Sequence, residues 1–363
     1  MAPLRVFAFN VVDGAPLGRI PYTGASWVGT LNESGRIDVT VAWSAQAAAK
    51  DLRARLRPWR TALAVVRGRR VLAAGQITRR LWKSGQLSIT CGGGWTLLTK
   101  RLVLNHALAT SWVDGEVLID EDHPAPQWVL NLSGSLGDIG CGLVAEALKW
   151  GSLPIDLPAL TGGTNQRTYN GWDLSTTAQR LAELTAVEGG PEIEFAPYLT
   201  DTGHLRWRFR AGSPELVDTV WQWNTASPGR RASLLSVDEN GADMATDAYG
   251  LGGRADDLVL AGRRHTSALA GWPVMQVADT SHSTVTDLGT LLGWLGETVA
   301  RGTEDQESIE LRVGAEYAVR PGDHADVGVR DLYLGRTVLP LKVVEVSGDT
   351  GEWLTVRCRM REG

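Results

Sequence analysis

The sequence predicts an α+β, β-rich chain in which a strand-forming unit, a helix-forming unit and a second strand-forming unit with a helical insertion follow one another. Three observations predict it. Apolar and polar residues alternate strictly in 36–41, 205–210 and 354–361, the period of half-buried strands. Two capping boxes, Ser135-x-x-Asp138 and Thr176-x-x-Gln179, each open an apolar stripe at helical spacing. The length of 363 residues exceeds what a single core holds, because cores stop growing at about 250–300 residues.

The first β unit is expected over residues 1–105. Asn32-Glu33-Ser34-Gly35 supplies a turn before the strand at 36–41, and Ser44 stands where a helix N-cap belongs. Residues 45–56 are good helix formers, and Pro58 ends them because it lacks a backbone N–H. Residues 61–66 and 71–74, parted by Arg67-Gly68-Arg69-Arg70, read as a hairpin, and 87–90 as one more short strand.

The α/β unit is expected over 106–191. Ile139, Leu143, Val144, Ala147 and Leu148 share one helix face that Gly151 terminates; Ala178, Leu181, Leu184 and Val187 share another, stopped by Gly189-Gly190-Pro191. Residues 153–171, rich in Pro, Gly, Thr and Asn, are expected to form an exposed loop.

The second β unit is expected over 192–261 and 304–363. Asp201-Thr202-Gly203 turns between Glu192-Ile193-Glu194-Phe195 and 205–210, so that an acidic row would face an arginine row. Ser347-Gly348-Asp349-Thr350-Gly351 turns into the last strand. The helical insertion is expected over 262–303, with Thr284-x-x-Asp287 as its cap and Gly302 as its stop. No short repeat is visible, but the two β units are candidates for distant duplicates.

Composition excludes several classes. Apolar residues make up 43% and charged residues 21%, the balance of an ordinary globular chain. No apolar run reaches the eighteen or so residues of a membrane span, and the first residues carry no signal-like apolar stretch; synthesis and folding in the cytosol and no membrane insertion are expected. A net charge of −5 argues against a DNA-coating role. Cys91, Cys141 and Cys358 are three and widely spaced, which argues against a disulfide framework or a zinc site.

Catalytic patterns are likewise missing. No H-E-x-x-H or G-x-S-x-G occurs, and His123 within Asp120-Glu121-Asp122-His123 reads as a solvated acidic turn. Gly250-Leu251-Gly252-Gly253-Arg254-Ala255 has the spacing of a dinucleotide fingerprint but precedes a strand-like 258–260, so its glycines are expected to form a turn. No catalytic residue, metal ligand or cofactor is therefore expected.

The expected interface is the basic and aromatic stretch that contains Arg53, Arg55, Arg57, Trp59, Arg60, Arg69, Arg70 and Trp82, with Arg67, Arg79, Arg80 and Lys83 nearby. Arginine and tryptophan concentrate in protein interfaces, and the acidic balance of the chain favours a subunit contact or plain solvated faces over nucleic acid. The 15 tryptophans also suit a carbohydrate-binding surface, although Trp207 and Trp353 fall on alternating strand positions that suit a core or interface better.

Read as a set, several segments resemble the hub, or minor tail, proteins of siphophages that infect actinobacteria. They are 56–63 and 71–77 with Gly75 before the last strand; 184–195 with Gly189, Gly190 and Pro191; 203–209; 244–252; Arg320, Pro321, Gly322 and Asp323; Arg336; 343–349 with Ser347, Gly348 and Asp349; and 352–360. The resemblance implies two barrel-like β domains, an α/β domain between them and a small helical insertion in the second barrel. It implies a homotrimer whose six barrels match a six-fold tail tube, at the tail tip of a virion. Distal tail protein, tape-measure protein, downstream tip or fibre proteins and DNA in transit are the implied partners, and genome ejection the implied role. A tail-borne cell-wall hydrolase and a receptor-binding carbohydrate module are the alternatives.

Overall fold

The computed structural model describes residues 2–42, 51–110, 128–187, 189–227, 229, 231–255, 258–280, 285–303 and 306–361. In the N-terminal part the strands are β1 (Leu4–Asn10), β2 (Pro16–Ile20), β3 (Gly24–Thr30), β4 (Arg36–Ala42), β5 (Thr61–Arg67), β6 (Arg70–Lys83) and β7 (Gln86–Gly92). They lie in the order β2-β1-β5-β6-β7-β4-β3. The strand expected at 71–74 is thus a much longer element. β6 runs 14 residues because its first half pairs with β5 and its second half with β7, the change of partner falling at a bulge between Ile77 and Arg79. Of the helix expected at 45–56, residues 43–50 and with them Ser44 lie outside the described part; Leu52–Arg55 is helical, and Leu52 and Leu56 are fully buried.

The middle of the chain holds β8 (Val129–Gly134), helix α1 (Leu136–Lys149), β9 (Ile155–Asp156), β10 (Asn165–Asn170), helix α2 (Thr177–Thr185), β11 (Ile193–Leu199) and β12 (Leu205–Ala211). Both capping boxes form as read: Ser135 Oγ accepts from Asp138 N, and Thr176 Oγ1 from Gln179 N. The segment 153–171 is not all loop, since β9 and β10 lie within it and pair with β12 and β8. β11 and β12 were expected in the second β unit. Their apolar face, with Ile193, Trp207 and Phe209 fully buried, instead joins the helix residues Ile139, Val144 and Leu181 in one core, because parallel pairing with β9 ties the hairpin to that side. Among the expected acidic–basic pairs, Glu194 faces Arg210 at 2.6 Å, whereas Arg206 turns away to Asp156.

The C-terminal part comprises β13 (Val220–Asn224), β14 (Ala232–Asn240), β15 (Asp247–Ala255), β16 (Leu258–His265), β17 (Gln276–Asp279), helix α3 (Leu288–Arg301), β18 (Gln306–Gly314), β19 (His324–Asp331), β20 (Gly335–Gly348) and β21 (Trp353–Met360). β15 to β17 form a separate three-stranded sheet that packs on Leu291, Leu295 and Val299 of α3, so the inserted structure starts well before residue 262. The glycines of 250–253 are not a turn. They sit inside β15, where a Cβ on Gly250 would meet Leu295 at 2.9 Å, so helix and sheet approach closely there. Asp287, not the expected Thr284, is the N-cap of α3; Thr284 lies outside the described residues.

The remaining C-terminal strands are ordered β14-β18-β21-β20-β19-β13, and this repeats the N-terminal order β3-β4-β7-β6-β5-β1. The match extends to register. Cys91 of β7 faces Ile37 of β4 and Ile77 of β6; Cys358 of β21 faces Ile309 of β18 and Val343 of β20. One residue beyond Ile77 and Val343 both long strands bulge, and β20 is 14 residues long like β6. Isoleucine thus recurs at 37 and 309, cysteine at 91 and 358, and valine at 65 and 327. Fully buried Gln76 and Lys342 also correspond.

The two units are not separate bodies. Residues Glu345, Val346, Ser347 and Gly348 of β20 pair with Thr30, Gly29, Val28 and Trp27 of β3, giving one 13-stranded sheet over a shared apolar core. Among the described residues no closed barrel is found: the sheet remains open at β2, β13 and β14.

Candidate functional site

Three features converge on the line where the units meet. The first is the β3–β20 junction itself. Trp27 is 4% exposed because Gly348 opposite it leaves room for the indole; a Cβ at 348 would approach the ring at 2.5 Å. Asp349 then accepts from Gly351 N at 2.7 Å and fixes the β20–β21 turn. The expected turn residues Ser347, Gly348 and Asp349 are therefore partly ladder and partly turn.

The second is a small cleft bordered by Trp27, Arg70, Glu194, Phe195, Val319 and Pro321. Its charges are linked. Arg210 donates to Glu194 and to Asp218, each at 2.6 Å, and Arg320 lies 3.7 Å from Asp218. Arg70 donates to the Val319 carbonyl, and burial together with Arg320 lowers its guanidinium to about 10. Burial raises the Glu194 carboxyl despite Arg210. The neighbouring turn Pro321-Gly322-Asp323 is buried: Gly322 has a φ of 95°, which only glycine adopts freely, and Asp323 accepts from the Trp221 indole at 2.9 Å.

The third was missed in the sequence. Lys342 of β20 is 1% exposed, 2.8 Å from Glu192 and 3.5 Å from Glu215, and donates to the Leu216 carbonyl at 2.7 Å. His324 lies 3.2 Å from Glu215 and accepts on Nδ1 from Arg361, which also holds Asp326. A buried charge is tolerated only when paired and hydrogen-bonded, and this cluster meets that condition. The signal was a lone lysine inside the apolar run Leu339-Pro340-Leu341-Lys342-Val343-Val344. At the corresponding place in the N-terminal unit, Gln76 lies with its amide against the Gly92 and Gly93 carbonyls and the Leu97 N–H.

The predicted basic stretch does not come together as one surface. Fourteen residues of β6 separate its ends, roughly 45 Å at about 3.3 Å per residue. At one end Arg69 and Arg70 flank the cleft turn. Toward the other, Arg80 donates to the Arg53 carbonyl at 2.6 Å, Arg53 and Arg57 lower its guanidinium further after burial, and Leu81 and Trp82 are exposed. Trp59, at φ 60°, bonds the Ile77 carbonyl, and Lys100 lies over its ring; Arg55 and Arg60 are on the same side. Gly75 is required by space, for a Cβ there would collide with the Gly92 carbonyl. α2 ends at Thr185 with Ala186 as its C-cap, ahead of the expected stop; Gly189, with φ 67°, and Gly190, which donates to the Val187 carbonyl, turn the chain before Pro191 leads into β11. His123 and Glu188 lie outside the described residues.

No protein-family model matches the sequence, and no curated protein is significantly similar to it. Solved structures do share its architecture. The tail protein from Neisseria meningitidis MC58 superposes with a TM-score of 0.57 at 13% identity, over 98% of this chain and 96% of that one. The 43 kDa tail protein of prophage MuSo2 from Shewanella oneidensis gives 0.53 at 12% identity, covering 98% of each. Prophage tail protein gp18 from Listeria monocytogenes EGD-e gives 0.52 at 10%, over 98% of this chain and 94% of that one. The chain has the fold of phage and prophage tail proteins.

Proposed function

We propose that this chain is a structural subunit of a phage tail tip, a hub that closes the tail tube as a homotrimeric ring. The observation that carries the reading is the doubled strand order. Two like units per chain give a trimer six similar positions around one axis, which fits a six-fold tube, and heterologous contacts of this kind generate closed rings. The shared fold with tail proteins supports the same reading. In this proposal the barrel-like units, divided near residues 1–105 and 220–363, line the ring, and the middle unit and the insertion carry outward contacts. The distal tail protein lies on one side, tip or fibre proteins on the other, and the end of the tape measure within. Opening for genome ejection is a subunit rotation, and DNA passes without specific binding. Mass photometry of the purified chain, and electron microscopy of virions labelled on it, test this. A trimer mass and label at the tail tip are expected; label on the capsid, or along the tube, would overturn the proposal.

A further inference from the structure

We propose that the ring is joined by strand pairing between β14 of one chain and the second half of β6 of a second copy, in a register set by the β3–β20 junction. The inference rests on the ring reading and adds the surface, the partner and the pairing.

The argument starts from the duplication. By the ladder correspondences above, Trp27, Val28, Gly29 and Thr30 of β3 match Val237, Asp238, Glu239 and Asn240 of β14. Residues Glu345, Val346, Ser347 and Gly348 of β20 match Arg79, Arg80, Leu81 and Trp82 of β6. Within the chain, β3 pairs with β20. Their counterparts, β14 and the 79–82 half of β6, are at opposite parts of the sheet, and among the described residues each has a ladder partner on one side only. An open edge is a template for another strand. Repeating the internal junction between copies places Trp82 opposite Val237, Leu81 opposite Asp238, Arg80 opposite Glu239 and Arg79 opposite Asn240.

Side-chain chemistry agrees with that register. The β6 edge is basic, Arg79 and Arg80, and the β14 edge is acidic, Asp238 and Glu239, so the two edges attract each other and each repels a copy of itself. Because the two edges differ, the contact runs head to tail and is not that of a symmetric dimer; it yields the proposed ring when the rotation between copies closes.

Disulfide trapping of the full chain tests the pairing. Leu81→Cys combined with Asp238→Cys is expected to give interchain-linked species on mild oxidation, and Leu81→Cys with Val237→Cys far less, since a one-residue slip turns a side chain to the other face. In parallel, Arg80→Glu should weaken self-association at least about tenfold, and Arg80→Glu with Glu239→Arg should restore it. Circular dichroism of each variant checks that it folds. If the wild-type chain is a trimer yet the matched pair does not link and the charge swap does not rescue, the inference falls and the ring stands. If the wild-type chain is monomeric in solution and on the virion and the pair does not link, both fall.

Discussion

The two β units share a framework and differ in what hangs on it. Between β3 and β4 the chain needs only a short turn, whereas between the corresponding β14 and β18 it inserts a sheet and a helix with a core of their own. The first strand also differs: β1 pairs antiparallel with β5, but β13 pairs parallel with β19. Interior positions that hold the ladder together, such as Ile37 and Ile309 or Cys91 and Cys358, have stayed alike. Turns and edges, which pack on nothing inside the unit, have diverged. The likeness of the two units therefore lies in ladder register, not in residue identity along the chain.

The largest expected contrast lies at the corresponding buried polar positions. Lys342→Ala leaves the buried Glu192 carboxylate with only the Leu216 N–H and the more distant Arg359 guanidinium and should cost about 3–5 kcal/mol, whereas Gln76→Ala removes a neutral amide and should cost about 1–3 kcal/mol. Urea denaturation of both variants measures this, and equal losses would mean that the lysine charge contributes nothing special. Next, Cys91→Ser and Cys358→Ser each set a hydroxyl in an apolar site; burial raises both thiols, that of Cys358 to about 12. Each should lose about 1–3 kcal/mol, and a marked inequality would break the equivalence of the two cysteines. The smallest effect is a pH dependence carried by Glu215 beside Lys342 and His324. Burial pushes the Glu215 carboxyl up, but Lys342 and His324 outweigh it and hold it below its ordinary value of 4.5. A carboxylate depressed in the folded state stabilises above the unfolded value, and that contribution disappears as pH falls through the folded one. Wild-type protein should thus lose stability below about pH 4.5 more steeply than Glu215→Gln; identical profiles would remove Glu215 from the account.

Much of this was legible in the sequence because it depends on local chemistry. The capping boxes at Ser135 and Thr176 and the strands at 36–42 and 61–67 follow from periodicity and cap residues alone. What was not legible depends on partners distant in sequence. Nothing local to Arg70 or Lys83 says that they end one strand that changes partner midway. Glycines 250 and 252 read as a turn until α3 is seen pressing on the first and Val285 and Leu260 on the second. Arg53 to Trp82 reads as one patch, but strand length pulls it apart, and only the far half faces an open edge. Lys342 carried a signal, a charge within an apolar run, whose meaning required Glu192 and Glu215 from 150 and 127 residues away.

The β20–β3 ladder has a mechanical consequence. Backbone hydrogen bonds and a common interior join the two halves of the molecule, so in the proposed ring each polypeptide would act as a single arc. Dilation of such a ring would then fall at the boundaries separating neighbouring arcs, and substitutions that loosen those boundaries would ease it without softening the arcs themselves.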